Sequence, residues 1–273
     1  MVTVDGGPTG TVVNGSGDFV ITDGTVSGPA RFLFASEDGK IRGWNPNVPP
    51  PPPSHTAFVG ADRSNVGAVY KGLATGSVAG NNFLYATDFH NNRIDVFDKS
   101  FGLVQMPGGF VDNKLPKDFA PFGIQNIGGN LFVTFAKQQA GSDDEAHGQG
   151  LGFVDEFTTD GTLITRVATR GSLNAPWGLA LAPADFGRFS GDLLVGNFGN
   201  GKINAYEMKT EHGRIDFEHR GKLRGHDHKA IVIDGLWGIG FGNGSGSGAT
   251  NALYFAAGPD DEAHGLFGRI NTE

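Results

Sequence analysis

Five stretches of the chain repeat one alternation of apolar with small or polar positions. They are Phe32-Leu-Phe-Ala-Ser-Glu-Asp38, Phe83-Leu-Tyr-Ala-Thr-Asp-Phe89, Asn130-Leu-Phe-Val-Thr-Phe-Ala136, Asp192-Leu-Leu-Val-Gly-Asn-Phe198 and Ala252-Leu-Tyr-Phe-Ala-Ala-Gly258. Short runs of this period predict strands, because side chains alternate between the two faces of a sheet. A second strand follows each: Ile41-Arg-Gly-Trp44, Ile94-Asp-Val-Phe97, Val154-Asp-Glu-Phe157, Ile203-Asn-Ala-Tyr206 and Phe267-Gly-Arg-Ile270. Asp38-Gly39, Asn91-Asn92 and Asn200-Gly201 stand between the members of three pairs, and such dipeptides supply the positive φ of a tight hairpin. Ahead of three pairs lie Pro121-Phe-Gly-Ile124, Pro176-Trp-Gly-Leu179 and Leu236-Trp-Gly-Ile239. An aromatic residue followed by glycine suits a crowded inner strand, where the ring packs between sheets and the glycine admits a neighbouring backbone. Leu163 to Ala168 reads as an outer strand, and no segment has the pattern of a helix of three turns.

The aligned leucines Leu33, Leu84, Leu131, Leu193 and Leu253 are spaced by 51, 47, 62 and 60 residues. That is close to the roughly 40–50-residue period of propeller blades, with loop insertions. The expected fold is all-β: a β-propeller of five four-stranded blades, one domain over residues 1–273. The last repeat stops after its third strand, so the opening strand Val2 to Val4 is expected to complete the final blade and close the ring. The proline run Pro49 to Pro53 reads as a surface loop and Ser245 to Gly248 as a hairpin loop.

Composition sharpens this picture. Glycine occurs 45 times and Phe 22 times, against three Trp and four Tyr. Glycine suits many tight turns, and Phe packs dry interfaces without needing a hydrogen-bond partner. The formal net charge of −8 and the scatter of the basic residues argue against nucleic acid, which demands a basic patch. No apolar run approaches the roughly 18 residues of a spanning helix, and Met1-Val-Thr-Val-Asp5 reads as a strand, not a signal peptide. Cysteine is absent, which removes disulfides, thiol nucleophiles and zinc–thiolate sites. There is no Gly-x-Ser-x-Gly elbow and no phosphate-binding loop between a strand and a helix.

Leu84-Tyr-Ala-Thr-Asp-Phe-His-Asn-Asn-Arg-Ile-Asp-Val-Phe-Asp98 resembles an NHL-type propeller repeat. With Ala35-Ser-Glu-Asp-Gly-Lys-Ile-Arg-Gly-Trp-Asn-Pro46, Ala175-Pro-Trp-Gly-Leu179 and Gly258-Pro-Asp-Asp-Glu-Ala-His-Gly-Leu-Phe-Gly268, nearly the whole chain is similar to a family of bacterial propeller proteins. The resemblance implies an extracellular or periplasmic location. Members usually extend about one blade further at the N-terminus, which implies six blades in the longer relatives.

The hairpin loops carry the candidate chemistry. Asp143-Asp-Glu-Ala-His-Gly148 and Asp260-Asp-Glu-Ala-His-Gly265 are the same string in two blades. His90, His147 and His264 occupy equivalent positions, each beside carboxylates. Three imidazoles on one axis can hold Zn²⁺, Cu²⁺ or Fe²⁺ with a position open for substrate. Asp144 and Asp261 can join as metal ligands, and an oxygen-rich set suits Ca²⁺. On that reading Glu145, Glu262 or Asp88 serves as general base, and Glu37, Asp38, Asn200, Trp177, Trp237 and Phe122 line the pocket. The bland alternative is that the carboxylates cap turns and the aromatics pack between blades. His226 and His228 would share a face if they lay on a strand. Two functions follow: a metal-dependent enzyme acting on a small polar molecule, or a non-catalytic module binding a glycan, peptide or protein with a structural cation.

Overall fold

The computed structural model describes residues 1–211 and 214–271, so His212 and the last two residues lie outside it. Strands are numbered in chain order. The first blade has the order β1-β4-β5-β6, from Pro8–Val13, Phe32–Ser36, Lys40–Trp44 and Phe58–Asp62. A small hairpin, β2 (Val20–Thr22) with β3 (Ser27–Pro29), is inserted after β1. The second blade is β10-β9-β8-β7, from Leu103–Val104, Arg93–Asp98, Asn81–Asp88 and Tyr70–Val78. The third is β11-β12-β13-β14, from Phe119–Ile127, Asn130–Lys137, Phe153–Phe157 and Leu163–Thr169. The fourth is β15-β16-β17-β18, from Pro176–Leu181, Leu193–Asn197, Ile203–Glu211 and Arg214–Lys222. The fifth, β19-β20-β21, has three strands among the described residues: Leu236–Phe241, Ala252–Ala257 and Leu266–Asn271. The only helical elements among the described residues are three-residue 3-10 turns at Ser64–Val66, Gly187–Phe189 and Phe198–Asn200. The chain is thus the five-bladed β-propeller that the repeats predict.

The five aligned leucines are at most 1% exposed. Each sits in the second strand of its blade, shielded on both sides by neighbouring strands, which is why the repeat keeps an apolar residue there. The chain divides into two compact units, Met1–Leu131 with Phe157–Leu163 and Phe132–Glu156 with Ile164–Glu273. One core gathers Leu33, Ile41, Tyr70, Leu84 and Phe97 in the first unit. Another gathers Leu194, Ile203, Leu236 and Leu253 in the second.

Inner strands approach closely at Gly72 and at Gly178 of the predicted Trp177-Gly178 pair, whereas a Cβ at Gly238 of the Trp237-Gly238 pair would meet nothing within 4 Å. A Cβ at Gly72 on β7 would lie 2.9 Å from the Phe122 carbonyl oxygen on β11, and Thr87 Oγ1 donates to that same oxygen at 2.6 Å. In the second unit a Cβ at Gly178 would lie 2.7 Å from the Trp237 carbonyl oxygen. Neither position admits a side chain without moving backbone. The expected hairpin turns form, with φ of +74° at Gly39, +52° at Asn92 and +64° at Gly201.

The opening strand takes a different place from the expected one. Thr3 bridges Thr56 in parallel, inside the first unit and next to the outer strand of the first blade. Two backbone bonds, Thr3 N–H to His55 O and Ala57 N–H to Thr3 O, fix it there. Alternation marked Val2–Val4 as a strand but carried no information about its partner, because pairing is decided by which edge is within reach. The segment holding His226 and His228 is a turn between the bridged residues Arg224 and Ala230, not a strand, so the shared-face argument for that pair lapses.

Candidate functional site

In the first unit the candidate carboxylates are bound to cations and backbone amides of their own neighbourhood. Asp88 is fully buried. Its oxygens accept from Val69 N–H and Asn91 N–H at 3.2 Å each and from Asn91 Nδ2 at 2.8 Å, and Arg93 lies 3.1 Å away. Burial pushes its carboxyl above the ordinary carboxylate range, and the amide hydrogen bonds oppose that. Arg93 also reaches Asp95, whose other oxygen takes the Tyr70 hydroxyl at 2.9 Å. Asp38 holds Arg42 through both oxygens, at 2.9 and 2.6 Å. Glu37 accepts from the nearly buried Lys71 at 2.5 Å. Phe122 has no exposed surface and tilts onto Phe89 at 5.2 Å between centroids, so it packs against its neighbours. His90 is exposed, with its ring beside Gly67.

In the second unit the two identical loop strings take different conformations. Glu145 is buried, bridged to Gln138, and meets His147 Nε2 through Oε1 at 3.0 Å. Asp144 accepts the Ser142 hydroxyl at 2.7 Å. In the other copy Asp260, Asp261 and Glu262 are exposed and all left-handed, with φ of +57°, +52° and +63°. Glu262 accepts the Trp237 indole N–H at 2.6 Å, and His264 is 3.9 Å from Asp260 with its side chain 71% exposed. Among the described residues no group of three or more His, Asp or Glu side chains could hold a metal ion.

The second unit does assemble one cluster from the predicted residues. Trp177 is the second residue of β15, where the register shifts between Pro176 and Leu179. Phe198 follows directly on β16 and begins a 3-10 turn, fixed by its N–H to Ala175 O at 2.9 Å. The Trp177 and Phe198 rings meet edge to face at 5.5 Å, and His147 meets Phe198 likewise at 5.4 Å. Asn174 ties in the His147 loop by accepting Gly148 N–H at 2.7 Å. Asn200, the last residue of the turn, accepts from Asn197 Nδ2 at 3.1 Å and from Lys202 N–H. Trp177 and Phe198 are half-buried and His147 is exposed, so the trio presents ring surface to solvent. Phe198 lies outside the residues that the hairpin-loop motifs mark as candidates. Its signal was an aromatic residue in the loop Asn197-Phe-Gly-Asn200, where a turn needs none.

No family model matches the chain. Among solved structures, the PQQ-bound aldose sugar dehydrogenase of Streptomyces coelicolor aligns with all of this chain and 79% of its own, at 14% identity and a TM-score of 0.52. A protein of Lactobacillus plantarum aligns with all of this chain and 73% of its own, at 13% identity and a TM-score of 0.50. At such identities the likeness is one of fold alone. Relatives by sequence are viral. An uncharacterised protein of Acanthamoeba polyphaga mimivirus is 34% identical over 269 residues, 96% of this chain and 62% of that protein. A second from the same virus is 35% identical over 271 residues, 96% of this chain and 67% of that protein. The chain thus spans about two thirds of the length of these relatives, and it belongs to their family.

Proposed function

We propose that this protein is a non-catalytic binding module that recognises a glycan through Trp177, Phe198 and His147. The observation that carries this reading is the edge-to-face trio with ring surface open to solvent, held by a 3-10 turn and by Asn174. A half-exposed indole offers an apolar face to the C–H side of a sugar ring at little cost in side-chain entropy. The side chains expected to act as bases do not favour catalysis. A general base must reach a proton of the substrate, whereas Asp88 has no exposed surface and Glu145 and Glu262 are engaged by His147 and Trp237.

The test is a titration with neutral oligosaccharides followed by tryptophan fluorescence, with Trp177→Ala beside the parent. Affinity is expected to fall roughly tenfold or more, as for a central aromatic contact. Equal affinity in the variant would remove the site. Metal content of untagged protein, compared with a His90→Ala/His147→Ala/His264→Ala variant, tests the other reading. One transition metal per chain, lost in the variant, would restore the metalloenzyme.

A further inference from the structure

The first unit contains a cavity of about 490 Å³, within the roughly 300–1,000 Å³ usual for small-molecule sites. It lies at the far end of β7 from Asp88: Thr75 to Ser77 line it, whereas Asp88 pairs with Tyr70 at the start of that strand. Asn14, Ser16, Ser77, Asn82, Asn126 and Thr159 supply its polar wall, and no ionisable side chain lines it.

The wall is fixed by its own hydrogen bonds. Ser16 Oγ donates to Asn14 Oδ1 at 2.7 Å, and Asn14 Nδ2 donates to Ala30 O and Asp18 O at 2.8 and 2.9 Å. Ser77 Oγ donates to Asn82 Oδ1 at 2.9 Å, and Asn82 Nδ2 donates to Asp18 Oδ2 at 2.8 Å. Asn126 Nδ2 donates to Thr75 O at 2.8 Å and its Oδ1 accepts Gly129 N–H at 3.1 Å. Thr159 Oγ1 donates to Ser77 O at 2.9 Å. These bonds orient the amides, and an amide has two N–H groups and a hydroxyl two lone pairs. Asn82 and Asn126 each use one N–H in this way, which leaves the second as a donor. The hydroxyls of Ser16, Ser77 and Thr159 donate to the protein and keep lone pairs as acceptors. The hydrogen-bonded wall therefore offers both donors and acceptors and carries no ionisable side chain.

We infer that this cavity binds a neutral polyhydroxylated ligand, a saccharide unit, at a site separate from the aromatic trio. A phosphate or carboxylate would find no cation in the wall, and an amine no carboxylate. A flat base would find no open ring to stack on, because Phe19 is only 1% exposed. Hydroxyl groups, each both donor and acceptor, match the wall.

The test is saturation-transfer NMR with neutral mono- and disaccharides, then calorimetric titration of the best. Gly15→Trp blocks the cavity: a Cβ at Gly15 meets nothing within 4 Å and its backbone is not left-handed. Wild type is expected to bind a neutral sugar at millimolar concentration or tighter and a sugar phosphate more weakly. Gly15→Trp should abolish binding, and Ser77→Ala should weaken it roughly twofold to tenfold, as for one neutral hydrogen bond, both with unchanged thermal melting. Absence of neutral-sugar binding in wild type, stronger binding of the phosphate, or a folded Gly15→Trp that binds normally would overturn the site. A signal lost in Trp177→Ala but kept in Gly15→Trp would overturn the cavity and leave the aromatic site standing.

Discussion

Asp88 shows what a buried carboxylate does in a hairpin corner. It closes the Asn91-Asn92 turn by accepting from Asn91 while Arg93 balances its charge. Its raised pKa has a definite consequence for stability. An acid whose folded pKa lies above its unfolded value of about 4 holds its proton longer when folded. Stability relative to a non-ionising Asp88→Asn variant is therefore greatest in acid and shrinks as pH rises from about 4 through the folded pKa. Denaturant unfolding of both proteins at several pH values measures this, and a difference that grows with pH would show that Arg93 outweighs burial. The identity of this carboxylate was legible in the sequence. Its partners were not, because Val69, whose N–H it accepts, lies 19 positions earlier along the chain.

At the scale of elements, glycine decides how closely strands pack. Gly72→Ala drives a methyl to 2.9 Å from a backbone carbonyl that cannot swing aside. Its expected cost is about 1–3 kcal/mol, as for overpacking elsewhere, read from the urea midpoint at constant slope. The duplicated loop string supplies the contrary lesson. Asp-Asp-Glu-Ala-His-Gly is left-handed over Asp260 to Glu262, while Asp143 to Glu145 carries no positive φ. In the first copy Ala146 N–H and Gln139 N–H are engaged by Lys137 O and Asp144 O. In the second, Glu262 N–H turns back to Gly258 O and the side chain takes Trp237. A left-handed non-glycine residue costs about 1–2 kcal/mol, partly offset by the entropy that glycine loses on folding. Asp261→Gly is therefore expected to stabilise by roughly 0.5–1 kcal/mol, and Asp144→Gly to give no gain. Equal effects at the two positions, measured by thermal unfolding, would show that the loop is not strained.

For the whole molecule, charge sets the partners that approach it. With a net charge of −8, the long-range field attracts cations, opposes polyanions and leaves neutral ligands unaffected. The protein should pass through a heparin column at low salt and bind an anion exchanger at neutral pH; retention on heparin would reveal a basic patch. No helix among the described residues is long and apolar enough to cross a membrane. What the sequence alone determined was the blade and its repetition: the strand period and the leucine recur in all five repeats, and hairpin dipeptides and aromatic–glycine inner strands each recur in three, all of them local patterns. What only the tertiary structure decided was where distant segments meet. Thr3 bridges Thr56 beside the outer strand of the first blade, three predicted bases lie within their own hydrogen-bond networks, and Phe198 completes an aromatic surface. The cavity draws Asn14, Asn82, Asn126 and Thr159 from four separate stretches of chain. Each of those residues is an ordinary loop or strand-end residue in its local context, and contacts between residues remote in sequence leave no periodic trace in the chain, only in the folded packing.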